Sequence, residues 1–306
     1  MINTIEITFW GVRGSIPCGD KNKQKYGNNT SCVEININDY IIIFDGGTGI
    51  YNFGLDYLKR EDKKKIIICI THSHWDHIQG LPFFIPAYIP RQNITIIGCN
   101  QGMTEFKDIL KNQMVAPYFS VEIENWKADI SINTINSYNN FEIKLNNFKI
   151  EAMYVEHPGM TLGYKLLFDN KIIIYIPDNE LFANFPRDKI YKHNEIYNFD
   201  DMELIFIEEQ KSKFFGFINN ADILIHDAQY TPDEYKQRIG WGHSCFEDTV
   251  KSGLYGNVKH LILFHHDPTH SDKELDEILK KSREIVKTEK KKMKVSAAYE
   301  GLKIIL

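Results

Sequence analysis

Residues 70–80, ITHSHWDHIQG, place three histidines and one aspartate within the six positions from His72 to His77. This stretch directly follows the apolar run KIIICI at residues 65–70. A buried neutral histidine needs a hydrogen-bond partner, so three neighbouring histidines gain nothing as core residues. Imidazole and carboxylate side chains that gather at one point usually share a metal ion. The stretch therefore predicts a metal-binding loop at the end of a buried strand.

The composition is that of a globular protein, with 306 residues of which 43% are hydrophobic and 25% are charged. We expect one domain over residues 1–306, because this length can bury a sizeable core. A net charge of −5 gives no overall basic field that would attract nucleic acid. The short apolar runs and the N-terminal sequence predict no membrane span and no signal peptide. Five cysteines without a CxxC pair indicate a reducing compartment, so the expected location is cytoplasmic.

Runs of β-branched residues recur along the chain and predict strands. They lie at residues 40–45, 65–70, 93–98, 148–157, 171–178, 221–227 and 260–266. Such continuous apolar runs indicate strands buried on both faces, so we expect an α/β fold in which helices cover the sheets. Helical patterns occupy residues 103–114 and 270–287, and Ser271 with Glu274 forms a capping signal for the second. Residues 181–215 lack a regular pattern and are interpreted as a lid or insertion.

Polar side chains follow the predicted strands at the point where each strand ends. A sheet that delivers such groups to one edge typically builds a site there. Seven nitrogen and oxygen donors exceed the roughly four that one zinc ion takes, so they predict two divalent ions that share a bridging carboxylate. We expect Zn²⁺, although Mn²⁺ and Fe²⁺ also accept this donor set. The seven candidate ligands are His72, His74, Asp76, His77, His157, Asp178 and His265.

The string THSHWDHIQG, followed in order by three of these donors, closely resembles the metallo-β-lactamase superfamily of dinuclear hydrolases. The resemblance runs from WGVRGSIP at residues 10–17 through FDGGTG at 44–49 to LFHHDP at 263–268. It implies a four-layer αβ/βα sandwich with the metals at one edge of two sheets. It further implies that one metal is held by His72, His74 and His157, the other by Asp76, His77 and His265, and that Asp178 bridges them.

Two motifs late in the chain resemble those of the ribonuclease Z-like phosphodiesterases. They are HDAQ at residues 226–229 and GHSC at 242–245, with Asp227 in place of the family's Glu and Cys245 in place of its Thr. The resemblance implies that Asp227 orients His243, and that His243 and Ser244 contact the scissile phosphate. The chemistry agrees, because a leaving alkoxide needs a proton and an imidazole held by a carboxylate can supply one. Alternatively, His243 opens the helix SCFEDTVKSGL with Ser244 as its N-cap.

The opening FWGVRGSIP, together with GNNTSCVE at residues 27–34, resembles a sister group of small-phosphodiester enzymes that includes cyclic-nucleotide phosphodiesterases. That resemblance places Arg13 near the site as a substrate contact; the alternative is a surface arginine in a turn. Only 178 − 157 = 21 positions separate two of the ligands, in the interval where ribonuclease Z carries its tRNA-gripping arm. The aromatic stretches PYF at 117–119 and FFGF at 214–217 could stack a base or belong to the core.

We therefore predict a dinuclear metal-dependent phosphodiesterase whose partner is a small phosphodiester or nucleotide, most simply a cyclic nucleotide. The resemblance implies that a hydroxide held between the metals attacks, that Asp76 orients this hydroxide, and that His243 protonates the leaving oxygen. Three alternatives stay open: a tRNA 3′-processing endonuclease of the ribonuclease Z type, a glyoxalase II-like thioester hydrolase, and a degenerate member that binds a nucleotide without turnover. A homodimer also stays open.

Overall fold

The computed structural model describes residues 4–135, 141–145, 148–181 and 201–306. Within these ranges, fourteen strands form two sheets of seven strands each. The first sheet has the order β14-β1-β2-β3-β4-β5-β6 and the second the order β13-β12-β11-β10-β9-β8-β7. The first consists of β1 (Glu6–Gly11), β2 (Cys32–Ile37), β3 (Tyr40–Phe44), β4 (Lys65–Cys69), β5 (Asn93–Cys99), β6 (Asp129–Ile135) and β14 (Lys303–Ile305). The second consists of β7 (Phe141–Leu145), β8 (Phe148–Tyr154), β9 (Leu162–Phe168), β10 (Lys171–Ile176), β11 (Ile223–Asp227), β12 (His260–Phe264) and β13 (Lys294–Ala297).

Helices cover the outer face of each sheet. The first sheet buries apolar side chains against α1, α3 and nearby short turns, and the second buries them against α4, α6 and α7. The α-helices are α1 (Gly49–Lys59), α2 (Trp75–Ile78), α3 (Phe106–Asn112), α4 (Asp201–Ile218), α5 (Pro232–Lys236), α6 (Phe246–Tyr255) and α7 (Asp272–Thr288). The short 3₁₀ helices are Lys21–Lys23, Leu81–Phe83, Ile85–Tyr88 and Ile123–Asn125.

The two sheets pack face to face across an apolar core to which both contribute. Phe44 of the first sheet stacks on Tyr175 of the second, with ring centroids 5.0 Å apart and planes inclined by 6°. Phe264 contacts the same Tyr175 ring at a centroid distance of 5.5 Å. The order of layers is therefore helix, sheet, sheet, helix, and the predicted αβ/βα sandwich is confirmed.

Strand direction brings the polar strand ends together at one edge. Strands β10 to β13 run parallel to one another, and β8 runs parallel to β10 because both pair antiparallel with β9. The carboxyl ends of β8, β10, β11 and β12 therefore lie at the same edge of the second sheet. All seven predicted strands form. The predicted metal-binding loop at residues 70–80 follows β4 of the first sheet.

The helix predictions are confirmed in one place and corrected in another. Helix α7 begins with the predicted capping box, in which Glu274 N donates to Ser271 Oγ at 3.4 Å and Ser271 N donates to Glu274 Oε2 at 2.7 Å. The expected lack of regular structure in 181–215 is wrong for residues 201–215, which belong to α4, whereas the interpretation of this stretch as a lid or insertion stays a prediction. Phe214 and Phe215 of that helix are buried against the second sheet. Residues 182–200 of the interpreted lid lie outside the described ranges.

The sequence analysis expected free cysteines and no membrane span, and the described residues bear on both expectations. All five cysteines lie among them, and none forms a disulfide. In that same part of the chain, no helix combines the length and the apolar character that crossing a membrane requires.

Candidate metal centre

The loop after β4 turns its polar side chains inward by means of a single helical turn. His74 is the N-cap of α2, and Asp76 and His77 lie within α2 and are buried. The glycines after β3 allow this turn to lie close: a Cβ on Gly47 would lie 2.3 Å from the carbonyl oxygen of Asp76. The glycine-rich segment at residues 46–49 therefore allows the metal-binding loop to pack directly against its backbone.

Strand ends of the second sheet supply the remaining donors. His157 follows β8, Asp178 follows β10 and His265 follows β12. His265 adopts a left-handed backbone with φ of +57°, a conformation that is uncommon for a non-glycine residue. The donors form two clusters that share Asp178, and in each cluster one donor atom per residue lies within 4.8 Å of the others. The clusters are His72, His74, His157 and Asp178, and Asp76, His77, His265 and Asp178.

The carboxylate of Asp178 faces both clusters, one oxygen to each. Its Oδ1 lies 3.1 Å from Nε2 of His77 and 3.2 Å from Nε2 of His265. Its Oδ2 lies 3.7 Å from Nε2 of His72 and 3.6 Å from Nε2 of His157. This is the arrangement that a carboxylate bridging two cations requires.

Several buried donor atoms of this centre make no hydrogen bond of normal geometry in the described part of the chain. They are Nε2 of His72, Nε2 of His77 and Oδ1 of Asp178, the last two of which approach each other to 3.1 Å. Leaving a buried polar atom unpaired costs about 1–3 kcal/mol, so an unpaired set of this kind is unexpected unless another group satisfies it. Imidazole nitrogens and carboxylate oxygens at these positions fit two divalent ions.

Four of the five histidines have their Nδ1 atoms engaged, which leaves Nε2 to face the centre. Such contacts fix the ring orientation and the tautomer of a metal-binding histidine. His74 is the exception, because its Nδ1 lies 3.1 Å from Nε2 of His157 and so faces the centre itself. The four Nδ1 contacts are His72 to Thr71 Oγ1 at 3.1 Å, His77 to Asp45 Oδ2 at 2.8 Å, His157 to the carbonyl of Gly242 at 2.7 Å and His265 to Gln229 Oε1 at 2.8 Å.

Asp45 is a functional residue that the sequence interpretation missed. It is fully buried, and besides His77 it accepts hydrogen bonds from the backbone N–H of Thr71 at 2.8 Å and from the hydroxyl of Tyr175 at 2.9 Å. Its backbone is left-handed, with φ of +61°. A signal was present in the sequence, because Asp45 directly follows an apolar strand in the same way as the predicted ligands.

Burial and charge pairing act differently on the histidines of the centre: burial alone would lower the pKa of His77, but the carboxylates around it outweigh burial and raise that pKa well above its usual value. Burial lowers the pKa of His72, His74 and His157, which favours the neutral form that binds metals. Burial alone would raise the pKa of Asp178, but the surrounding imidazoles outweigh it and hold that pKa well below its usual value. The same balance, led by His77, holds the pKa of Asp76 well below its usual value. The centre therefore offers charged carboxylates to a cation.

His243 lies beside the metal centre, paired with Asp227 as the sequence predicted. Its Nδ1 donates to Asp227 Oδ2 at 2.9 Å, and its ring stacks on His265 at a centroid distance of 5.0 Å with planes inclined by 22°. Burial alone would lower the pKa of His243, but the charge and hydrogen bond of Asp227 outweigh it and raise the pKa to about 9. The N-cap of α6 is Cys245, so the alternative in which Ser244 caps this helix is wrong.

The two predicted substrate contacts other than His243 need correction. Arg13 is fully buried, and its guanidinium donates to the backbone carbonyls of Gly27 at 2.9 Å, Asp267 at 3.1 Å and His270 at 2.9 Å. It is thus neither a substrate contact nor a surface residue, because its hydrogen bonds hold neighbouring loops. The buried hydroxyl of Ser244 donates to the carbonyl of Asn179 at 2.6 Å and accepts from the N–H of Leu181 at 3.0 Å, so it is committed to the backbone.

The aromatic residues near the centre are also not those singled out in the sequence. Phe214 and Phe215 of FFGF belong to the core beneath the second sheet. Trp75, between two predicted ligands, is 74% exposed, and Trp241, directly before Gly242, is 61% exposed. The guanidinium of Arg238 lies 6.0 Å from the centroid of the Trp241 ring. Exposed indoles next to a polar cluster offer the apolar surface that a planar ligand could contact.

Comparisons with known proteins agree with this architecture. The family model described as the β-lactamase superfamily domain matches residues 41–200, just over half of the chain. A ribonuclease Z of Picrophilus torridus is 22% identical over 299 residues, which cover 89% of this chain and 89% of that protein. The metallo-β-lactamase fold protein YhfI of Bacillus subtilis superposes with a TM-score of 0.68 at 15% identity, covering 99% of this chain and 100% of that one. The short form of human tRNase Z superposes with a TM-score of 0.63 at 16% identity, covering 98% of each chain. At such identities the structural likeness shows a shared fold.

Proposed function

The chain belongs to the β-lactamase superfamily, and from this premise we propose that it is a metal-dependent phosphodiesterase acting on small phosphodiesters, most simply cyclic nucleotides. The observation that carries the proposal is the pair of His243 and Asp227, whose Nδ1 and Oδ2 atoms lie 2.9 Å apart beside the metal centre. Nδ1 of the same imidazole lies 3.9 Å from Oδ2 of Asp178. A hydrolase of phosphodiesters needs a proton donor at this point, because the leaving group is an alkoxide.

The residues of the centre divide into those that hold metals and those that move protons. Two divalent ions, which we expect to be Zn²⁺, would be held by the two clusters that share Asp178. When bound, such ions supply the Lewis acidity that activates water and offsets the negative charge of a phosphodiester. Asp76 would orient the attacking hydroxide, and its carboxylate is held in position because the backbone N–H of Ser15 donates to its Oδ2 at 2.7 Å. His265 Nε2 lies 3.0 Å from the same oxygen.

His243 provides the general acid. Its Nδ1–H is engaged by Asp227, so Nε2 is the nitrogen that gives a proton to the leaving oxygen. Asp227 is itself held, since its carboxylate accepts from the backbone N–H of Asn179 at 3.2 Å and of Gln229 at 2.9 Å. The charge and hydrogen bond of Asp227 outweigh burial and raise the pKa of this imidazole to about 9, which favours the protonated form that a general acid needs. Positioned proton donors of this kind contribute roughly 10²- to 10⁴-fold to a rate.

Three features support a small substrate. The chain between His157 and Asp178 holds only strands β9 and β10 and their connections, so it carries no arm where the ribonuclease Z resemblance would place one. The net charge of −5 provides no broad field for the phosphates of a folded RNA. Trp75 and Trp241 are exposed and directly follow and precede, in sequence, His74 and Gly242, and exposed aromatic rings are surfaces on which a base stacks.

A tRNA 3′-processing endonuclease is the second candidate. The observation that favours it is the ribonuclease Z of Picrophilus torridus, whose similarity extends over 89% of this chain. Both candidates break a phosphodiester bond with the same centre, and they differ only in what surrounds the scissile phosphate.

A hydrolysis panel separates these possibilities. Metal-reconstituted protein is incubated with cyclic AMP, GMP, CMP and UMP, a 3′-extended tRNA precursor and a thioester, each at equal concentration, with chelator-treated protein as the control. We expect metal-dependent opening of at least one cyclic nucleotide and poor trimming of the tRNA. Efficient trimming with intact cyclic nucleotides would select the second candidate. Cleavage of the thioester alone would contradict a phosphodiesterase altogether.

A further inference from the structure

Glu180 is a buried carboxylate that no step of the proposed reaction uses. It lies two residues after Asp178 and is 3% exposed. Its Oε1 accepts from the hydroxyl of Tyr235 at 2.6 Å and from the backbone N–H of Gly240 at 2.8 Å, and its Oε2 accepts from the backbone N–H of Gly242 at 2.8 Å. Because both carboxylate oxygens accept from the backbone of residues 240–242, the side chain of Glu180 fixes the position of this loop.

That loop needs an external anchor because its own backbone is permissive. Gly240 and Gly242 have φ values of +86° and +87°, which glycine adopts readily and other residues avoid. The carbonyl of Gly242 accepts from Nδ1 of His157 at 2.7 Å, and a Cβ on Gly242 would lie 2.3 Å from that nitrogen. The position of the His157 ring is therefore set by a carbonyl whose own position is set by Glu180.

The backbone of Glu180 also joins the loop that follows β10 to the loop that follows β8. Its N–H donates to the carbonyl of Glu156, directly before His157, at 2.6 Å. The side chain of the neighbouring Asn179 accepts from the N–H of Glu156 at 3.1 Å. The loops that follow β8 and β10 and the loop that precedes His243 thus converge on residues 179 and 180.

We propose that Glu180 is a positioning residue for one half of the metal centre, the cluster that contains His157. It acts through the carbonyl of Gly242, which fixes the tautomer and orientation of His157, and it contacts neither metal nor substrate. The other cluster is anchored elsewhere, since His77 donates to Asp45 and His265 to Gln229. Loss of the carboxylate therefore weakens the two metal sites unequally. The inference rests on the proposed metal centre and is independent of the substrate class.

The test is a metal titration of Glu180→Gln. Apoprotein is titrated with Zn²⁺ against a competing chelator, and the two stepwise affinities are measured alongside the urea unfolding transition. Glutamine has only one side-chain oxygen, so it cannot accept from the N–H groups of both Gly240 and Gly242 as the carboxylate does. We therefore expect the Zn²⁺ affinity of one site to fall roughly 10- to 100-fold, as is usual when a partner of a metal-binding histidine is lost. The affinity of the other site should change less than about twofold. The matched control is Glu34→Gln, because Glu34 on β2 is 2% exposed and its carboxylate accepts from Arg60 and Trp10, neither of which belongs to the centre. That variant should keep both affinities even where it unfolds more easily.

A second variant keeps the test decisive if Glu180→Gln does not fold. Tyr235→Phe removes one donor to the carboxylate and leaves both backbone bonds, so it should weaken the same single site severalfold. Unchanged metal affinities in Glu180→Gln, or equal losses of affinity at both sites, would overturn the proposal. If Tyr235→Phe is the variant measured, unchanged affinities or equal losses at both sites would overturn it in the same way. Failure of the phosphodiesterase proposal would appear in the hydrolysis panel and would leave this titration unaffected.

Discussion

At the scale of single residues, the centre concentrates charge that the core could not otherwise tolerate. Asp178 is 1% exposed and lies among five imidazoles, and it faces the two clusters with different oxygens. Burying a carboxylate without a cation or hydrogen-bond donors is strongly unfavourable. The free-energy cost of burying Asp178 is therefore offset only when the imidazoles and the cations of the centre are in place. Two residue substitutions test what the centre is for.

Asp178→Ala should lower the metal content of both sites, because a bridging carboxylate serves both ions. Elemental analysis after reconstitution should give close to two ions per chain in the unmodified protein and less than one in the variant. Asp76→Ala is the matched control, since Asp76 belongs to one cluster only and should cost one ion. One ion per chain in the unmodified protein, or two in Asp178→Ala, would contradict a dinuclear centre.

His243→Ala should keep both metals but lose roughly 10²–10⁴ in rate on substrates with poor leaving groups. A nitrophenyl phosphodiester has a leaving group that needs little protonation, so its rate should fall much less. Steady-state kinetics on both substrates measures the ratio of the two losses. Asp227→Asn should move in the same direction, because it removes the charge that keeps His243 protonated. Equal losses on both substrates would mean that His243 positions the phosphate and does not donate a proton.

At the scale of elements, the β-branched runs predicted seven strands because continuous burial leaves little choice of residue. Strands such as β7 and β9 were not singled out, since FEIKL and LGYKLLF interrupt the apolar pattern with charged residues and glycine. Helix α4 was mistaken for irregular chain because its aromatic and acidic residues are mixed. Its burial depends on the second sheet, which a local pattern does not include.

The first residue of β12 gives a pH-dependent test of packing at this scale. His260 Nε2 lies 2.9 Å from Ser296 Oγ on β13, and burial together with the charge of Lys294 lowers the pKa of His260 to about 4. In the unfolded chain the pKa is about 6.5, so the unfolded state binds a proton first as pH falls. The stability that neutral His260 contributes is therefore present above pH about 6.5 and is lost as pH falls towards about 4.

Urea unfolding from pH 8 to pH 4 should show this as a difference between the unmodified protein and His260→Gln, whose amide can still bond to Ser296 but does not titrate. The free energy of unfolding of the unmodified protein, relative to that of His260→Gln, should decrease as the pH falls from about 6.5 towards about 4. Carboxylates elsewhere titrate in both proteins alike and cancel in the comparison. Parallel pH profiles would show that burial of His260 has no effect on its protonation.

At the scale of the whole molecule, the metal centre joins the two sheets. His72, His74, Asp76 and His77 follow β4 of the first sheet, whereas His157, Asp178 and His265 follow strands of the second. Any ion held by either cluster thus contacts both halves of the sandwich. The expectation of one domain over residues 1–306 stays a prediction, and cooperative unfolding would be its natural test.

Removal of metal should therefore destabilise the entire molecule and not one loop. A ligand that binds only the folded state stabilises it by about 2.7 kcal/mol when its concentration is 100 times its Kd. Chelator-treated protein should unfold at lower temperature than Zn²⁺-reconstituted protein, with a single transition in each case by calorimetry. Asp178→Ala should show a much smaller shift on adding Zn²⁺. Identical unfolding of both forms of the unmodified protein would contradict metal bridging between the sheets.

The sequence by itself determined the candidate donors, because the residue types that bind metals and their positions after apolar runs can both be read along the chain. His72, His157 and Asp178 could be named before the fold was known, and the structure brings them together. Only the tertiary structure decided which groups support them: Asp45 lies 32 positions from His77, and Gly242 lies 85 positions from His157. It also decided that Arg13 is a buried residue that ties together loops up to 257 positions apart. Burial and hydrogen-bond partners arise when distant segments pack, so a local pattern names a ligand but does not show what holds it.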